Sequence, residues 1–259
     1  ELVYRWVRHY LERYGREEVS TWYWETWNEA NIGYWQGTFE EFLELHDRAV
    51  AAVRRALPEA RVGGPDMAGS DPRFLRPFLE HVLGKRLPLD FVAFHAKGSP
   101  TYVDGHVRMG IAAQLATIDQ GFRTIASFPE LKRTPIVIGE SDPEGCAACQ
   151  GPQLAYRNGT MYSSYTAASF ARKHELARRH GVNLEGAGID DRARELDQHV
   201  GRGAGGVLGR ELDLVDEAAG ELDRAHGDLE GLVLAHLQLV LQMDGAGGDE
   251  SVDARPLGL

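Results

Sequence analysis

Five short β-prone runs start near residues 22, 61, 90, 135 and 182, and an amphipathic stretch separates each from the next. Strands returned through helices in this way run parallel, because a parallel return needs a crossover of about a dozen residues or more. The chain therefore reads as α/β. The runs are 22–27, Arg61-Val62 ahead of Gly63-Gly64-Pro65, 90–95, 135–140 and 182–187. Between them, Leu2, Val3, Trp6, Val7, Tyr10 and Leu11 recur at helical spacing until Gly15. Thr38 and Glu41 form a capping box ahead of Phe39, Phe42, Leu43, His46, Val50 and Val53. Further helices are expected at 74–83, around Ile111, Leu115, Ile118, Phe122 and Ile125, and over 154–179. No strand leads into a Gly-rich phosphate turn that opens a helix, which disfavours a Rossmann domain.

The pattern stops abruptly. None of the 5 Trp, 9 Tyr and 9 Phe lies beyond Phe170, and the last lysine is Lys173. Of the net charge of -11, almost all falls after residue 187, where 6 basic side chains meet 16 acidic ones. Two segments follow: a nearly neutral α/β segment, 1–187, and an acidic tail of low complexity, 188–259. The tail is expected to be poorly ordered or loosely helical, or to be the product of a shifted reading frame. Without clustered basic charge, no nucleic-acid partner and no anionic membrane surface is expected. No apolar run approaches the roughly 18 residues of a membrane span.

The first four strand runs end in polar residues: Asn28-Glu29, Asp66, His95 and Lys97, then Glu140 and Asp142. Polar groups at the C-terminal tips of successive parallel strands are where a (β/α)8 barrel keeps its chemistry. Glu29 and Glu140 lie three βα units apart in sequence, yet both belong to that end of the sheet. Two carboxyl groups across one gap are what glycoside hydrolysis needs. One protonates the leaving oxygen, and the other attacks the sugar or activates water. A lone strand-end glutamate is more often a solvated acid, so it is the pair that carries the reading.

The segments WETWNEAN, FHAKGSP and IGESDP, in that order, resemble glycoside hydrolase family 39, which includes β-xylosidases and α-L-iduronidases. The resemblance covers roughly residues 1–187. It implies a partial TIM barrel, about strands 4–8, with strands 1–3 preceding Glu1. It implies a retaining, double-displacement glycosidase acting on carbohydrate without a cofactor or metal. Glu29 would be the general acid/base and Glu140 the nucleophile. Asn28 would bind the hydroxyl beside the anomeric carbon, and Gly145 would offer a backbone N–H to the sugar. Ala30 stands where the family usually has proline, a difference in loop stiffness rather than chemistry.

Other candidates keep two readings. Lys97 is either a solvated lysine or a cation for sugar hydroxyls or for a uronic-acid carboxylate, as the matching lysine of iduronidases is. His95 is a substrate contact or a core histidine. Trp27, with Trp22, Trp24, Trp35 and Tyr34, offers stacking faces, although at least three of these five are expected in the core. Arg157 and Tyr162 are expected to be structural. Cys146-x-x-Cys149 lacks the partners of a zinc site or a thioredoxin-like unit, which leaves a loop-bracing disulfide or two thiols. The resulting function is β-xylosidase-like hydrolysis. The alternatives are iduronidase-like hydrolysis and an inactive or sugar-binding fragment.

Overall fold

The computed structural model describes residues 1–146 and 149–188. The first helix, α1 (Leu2–Tyr14), ends at Gly15, whose φ of 85° no side-chain-bearing residue adopts without strain. A single turn, α2 (Arg16–Val19), leads into β1 (Tyr23–Glu25). The first strand is thus shorter than the aromatic run 22–27, because Trp27 and Glu29 take positive φ of 67° and 51° and turn the chain away. The capping box forms as expected. Thr38 N donates to Glu41 Oε2 at 2.7 Å and Glu41 N to Thr38 Oγ1 at 3.1 Å, opening α3 (Phe39–Ala56). Such a cap contributes about 1 kcal/mol.

The next strand, β2 (Arg61–Met67), outruns its expected end and includes Gly63, Gly64 and Pro65. Gly63 is required by packing, since a Cβ there would lie 2.6 Å from the Phe91 ring. Then come α4 (Pro72–Lys85), β3 (Phe91–Phe94), and an exposed antiparallel hairpin of β4 (Thr101–Val103) and β5 (His106–Arg108). The hairpin is an addition to the expected elements; its exposed strands carry little apolar periodicity to signal it. Next are α5 (Ile111–Ala126), β6 (Pro135–Ile138), α6 (Thr160–His180) and β7 (Asn183–Ala187). The expected helix 154–179 is divided: a 3-10 stretch spans Pro152–Asn158 before α6 begins.

The five longer-range strands form one parallel sheet in the order β1-β2-β3-β6-β7. Its two faces follow the period of two. Val92, Phe94, Ile136 and Ile138 face the helices, where Phe42, Phe78, Leu79, Ile118, Phe122 and Leu176 complete the main core. Each large apolar side chain buried there is worth about 2 kcal/mol. Tyr23, Phe91, Ala93 and Val137 form a smaller cluster on the opposite face. Trp22 and Trp24, on the outer face of β1, are both buried, and both rings meet Tyr10 of α1.

The sheet is strongly curled. A flat sheet would hold β1 and β7 about 19 Å apart, four strand spacings. Instead the Tyr23 hydroxyl of β1 donates to the Glu185 carboxylate of β7, and Arg61 of β2 pairs with the same carboxylate. The first and last strands of the sheet are thereby brought into contact. Among the described residues no helix is long and apolar enough to cross a membrane. The expectations for the tail concern residues that, from 189 on, lie outside the described ones.

Candidate active site

The parallel ladder continues past the strands and fixes the tip residues in register. Glu29 N donates to Asp66 O at 2.8 Å, His95 N to Met67 O at 2.8 Å, and Ala96 N to Glu140 O at 2.8 Å. Asn31 reinforces the first of these junctions, since its amide donates to Ala68 O and accepts from Ala68 N, both at 2.8 Å. Glu29 and Asp66 both take φ of 51°, in the left-handed region where non-glycine residues are uncommon. Strain of about 1 kcal/mol at each is characteristic of sites whose surroundings over-determine the backbone.

Glu29 and Glu140 meet. Facing oxygens of the two carboxylates and the His95 ring nitrogen all lie within 4.8 Å of one another. His95 stands between the acids: Nδ1 is 2.8 Å from Glu29 Oε1 and 3.6 Å from Glu140 Oε1, while Nε2 is 2.8 Å from Asp66 Oδ1. Burial works against a charged ring, but the carboxylates of Asp66, Glu29 and Glu140 outweigh it and raise the His95 pKa well above its ordinary value. His95 is therefore a buried histidine, 2% exposed, that touches both candidate acids.

Lys97 reaches the same gap. Its Nζ is 2.6 Å from Glu140 Oε2 and 2.5 Å from Asp142 Oδ2. Burial again opposes the charge, and Asp142 and Glu140 more than offset it, so the ammonium is held above its usual pKa. Gly145 lies beside the lysine stem, where a Cβ would stand 3.5 Å from Lys97 Cγ. Asn28 is part-buried, and its Oδ1 has no hydrogen-bond partner among the described residues. An unpartnered acceptor beside Glu29 suits a ligand hydroxyl.

Trp27 requires a correction. Its ring is buried in the main core and packs edge-on against Trp35 at 5.1 Å, so it presents no stacking face to a sugar. The positive φ after β1 turns the ring inward, a backbone reversal that the aromatic run does not signal. Trp22 and Trp24 are also core residues, while Tyr34 is exposed.

Several residues of the site were not singled out in the sequence. Gln114 of α5 donates from one amide nitrogen to Ala96 O at 2.8 Å and Ser141 O at 2.7 Å, tying the tips of β3 and β6 together. Ser169 of α6 donates to the same amide's oxygen. Lys173, 1% exposed, donates to Ser141 Oγ; burial lowers its pKa to about 8, with Asp142 opposing. The available signal was positional. Gln114 falls on the inward stripe of its helix with Ile118, Phe122 and Ile125, and Lys173 on that of Tyr165, Ser169 and Leu176.

The two cysteines resolve to a disulfide, Cys146–Cys149. Arg157 donates to Cys146 O at 2.6 Å and pairs with Glu144, which gives it the expected structural role. Tyr162 donates to Asp142 Oδ1 at 3.3 Å. Glu29, His95 and Glu140 converge closely enough to be considered for a metal ion. The donor set does not suit one. Both His95 nitrogens already face carboxylates, a charged ring has no free lone pair, and Lys97 places a cation on Glu140.

Known proteins resemble this chain in sequence and in fold. A family model described as Glycosyl hydrolases family 39 matches residues 1–183. A beta-xylosidase of Geobacillus stearothermophilus is 38% identical over 98 residues, 37% of this chain and 19% of that protein. Human alpha-L-iduronidase is 32% identical over 159 residues, 55% of this chain and 23% of that protein. Among solved structures, a monomeric beta-xylosidase from Caulobacter crescentus CB15 superposes with a TM-score of 0.55 at 25% identity. The superposition covers 71% of this chain and 37% of that one. The chain thus spans about a quarter or less of the length of these curated relatives.

Proposed function

Because the chain belongs to glycosyl hydrolases family 39, we propose that its strand tips form the catalytic centre of a retaining glycosidase acting on neutral xylosides. The observation that carries the reading is the meeting of Glu29 and Glu140 within 4.8 Å across the gap that His95 spans. Retaining enzymes hold their carboxyl groups only about 5–5.5 Å apart, whereas inverting ones leave room for a water between them. In this reading the Glu140 carboxylate attacks the anomeric carbon as the glycosidic bond breaks, and Glu29 gives its proton to the departing oxygen. Water then attacks the glycosyl ester, Glu29 takes the water's proton, and Glu140 leaves as a carboxylate. Lys97 orients Glu140, and Asn28 Oδ1 accepts from a sugar hydroxyl. The curl of the five parallel strands supports a further proposal, that they correspond to strands 4–8 of a (β/α)8 barrel.

Local charge favours a neutral sugar over a uronic acid. Four carboxyl groups (Glu29, Asp66, Glu140, Asp142) face two cations, and both acids nearest Lys97 already engage its ammonium. A substrate carboxylate would have to displace one of them.

The decisive experiment exposes the whole chain to an activated 2-fluoro-xyloside and reads its mass. A glycosyl adduct that maps to Glu140, and that Glu140→Gln lacks, is the expected result. No adduct with a folded protein would leave the inactive or sugar-binding alternative. Comparable turnover of a nitrophenyl uronide, lost selectively in Lys97→Ala, would favour the iduronidase-like alternative.

A further inference from the structure

Beneath His95 lies a pair of acids that hydrolysis itself does not use. Glu25 and Asp66 are 3% and 0% exposed and lie within hydrogen-bonding distance of each other. Glu25 shares the concave face of β1 with Tyr23, above the apolar floor of Phe91, Ala93 and Val137. Neither Glu25 Oε1 nor Asp66 Oδ2 has a hydrogen-bond partner among the described residues. Two ionised carboxylates cannot satisfy each other, because both only accept. A proton on one of the two carboxyl groups would give the other a donor. Asp66 Oδ1 already faces His95 Nε2 at 2.8 Å, so the proton belongs on Glu25.

We propose that Glu25 carries a proton at neutral pH and donates it to Asp66, and that this buried pair holds His95 as an imidazolium turned toward Glu29 and Glu140. Glu25 and Asp66 are then positioning residues. They act through His95 and touch no substrate.

The surrounding charges agree. Glu25 is pushed well above the ordinary glutamate range by burial first and by the Asp66 charge second, while His95 pulls the other way. The groups facing His95 are Asp66 from β2, Glu29 from the turn after β1, Glu140 from the tip of β6, and Glu25 from β1 beyond Asp66. Lys97 approaches Glu140 from its far oxygen. The packing leaves the pair no slack: a Cβ at Gly139 would lie 2.8 Å from Asp66 Oδ1 and 3.1 Å from His95 Nε2. The bearing of these states on hydrolysis rests on the reading proposed above; the states themselves do not.

The test reads those states without turnover, on the whole chain. Infrared spectroscopy at neutral pH should show a protonated buried carboxyl band that Glu25→Gln abolishes. Nitrogen NMR should show His95 doubly protonated at neutral pH. In Asp66→Asn its titration should fall by at least about one pH unit, a tenfold change in proton affinity. In Glu25→Gln it should stay within about half a unit, because one neutral side chain replaces another. If Glu25 is instead an ionised carboxylate, Glu25→Gln removes a negative charge and His95 falls as it does in Asp66→Asn. That fall, a neutral wild-type ring, or a wild-type spectrum lacking the band overturns the proposal. Should Glu25→Gln not fold, the wild-type ring state and Asp66→Asn still decide it. Where hydrolysis is measurable, Asp66→Asn should lower kcat more than it raises KM and displace the pH profile. Absence of hydrolysis with both protonation states found would sink the glycosidase reading and leave the pair intact.

Discussion

At the scale of single residues, the site depends on contacts between tips whose side chains have little spare room. Gly139 shows this most clearly. Its backbone is not in the left-handed region, so alanine is allowed conformationally, yet a Cβ would sit 2.8 Å from Asp66 Oδ1. Gly139→Ala should therefore leave the fold intact and push Asp66 and His95 apart. A loss of at least about tenfold in kcat, equivalent to about 1.4 kcal/mol of transition-state stabilisation, is expected in a xyloside assay. A lower thermal midpoint should accompany it, since overpacking a buried site costs about 1–3 kcal/mol. Glu29 and Glu140 were legible in the sequence as acids at strand ends. Asp66 was legible as a polar strand tip, but its partnership with His95 was not, because hydrogen-bond partners drawn from different strands leave no local pattern.

Elements bring their own liabilities. His46 lies on the inward stripe of α3 and packs edge-on against Phe78 of α4 at 4.9 Å, with neither ring nitrogen partnered among the described residues. Burial, partly opposed by Asp47, lowers its pKa to about 4. The folded state therefore refuses a proton that the unfolded chain accepts. Stability is fully present above the unfolded value near 6.5 and is lost as pH falls toward 4. His46→Leu keeps the apolar contact and removes the titration. Thermal melts should show its gain over wild type growing from pH 7 to pH 4.5, by about 2 kcal/mol. A gain independent of pH would mean that the ring is not the titrating group. Lys173 behaves with the same sign in a higher window. Its folded pKa near 8 lies below the ordinary lysine value of 10.5, so its contribution to stability rises with pH between the two. Both helices were readable from their apolar period; the polar residues riding the buried stripes gained meaning only once the neighbouring elements were placed.

Over the described segment as a whole, curvature makes the site possible. Glu185 of β7 and Tyr23 of β1 meet although three strands separate them in the sheet, and Arg61 joins the same carboxylate. A double-mutant cycle of Tyr23→Phe and Glu185→Gln, read by denaturant unfolding, should give a coupling of about 0.5–1 kcal/mol. Additive effects would mean that the two edge strands do not touch. The charge division belongs to this scale too: the described segment is nearly neutral, and the acidity of the chain lies almost wholly beyond residue 187.

The sequence by itself determined the α/β class, the number of strands in the parallel sheet, the caps and the two acids. Each of these follows from local periodicity, turn chemistry or a residue at a strand end, which act over a few positions. Tertiary structure alone decided that Trp27 turns into the core and that Gln114 and Lys173 reach the strand tips. It also decided that His95 joins Asp66 to Glu29, with Glu25 buried beside Asp66. These outcomes depend on backbone reversals after the strands and on curl accumulated across the sheet. Both bring residues from distant positions within hydrogen-bonding reach, and no stretch of sequence records that separation.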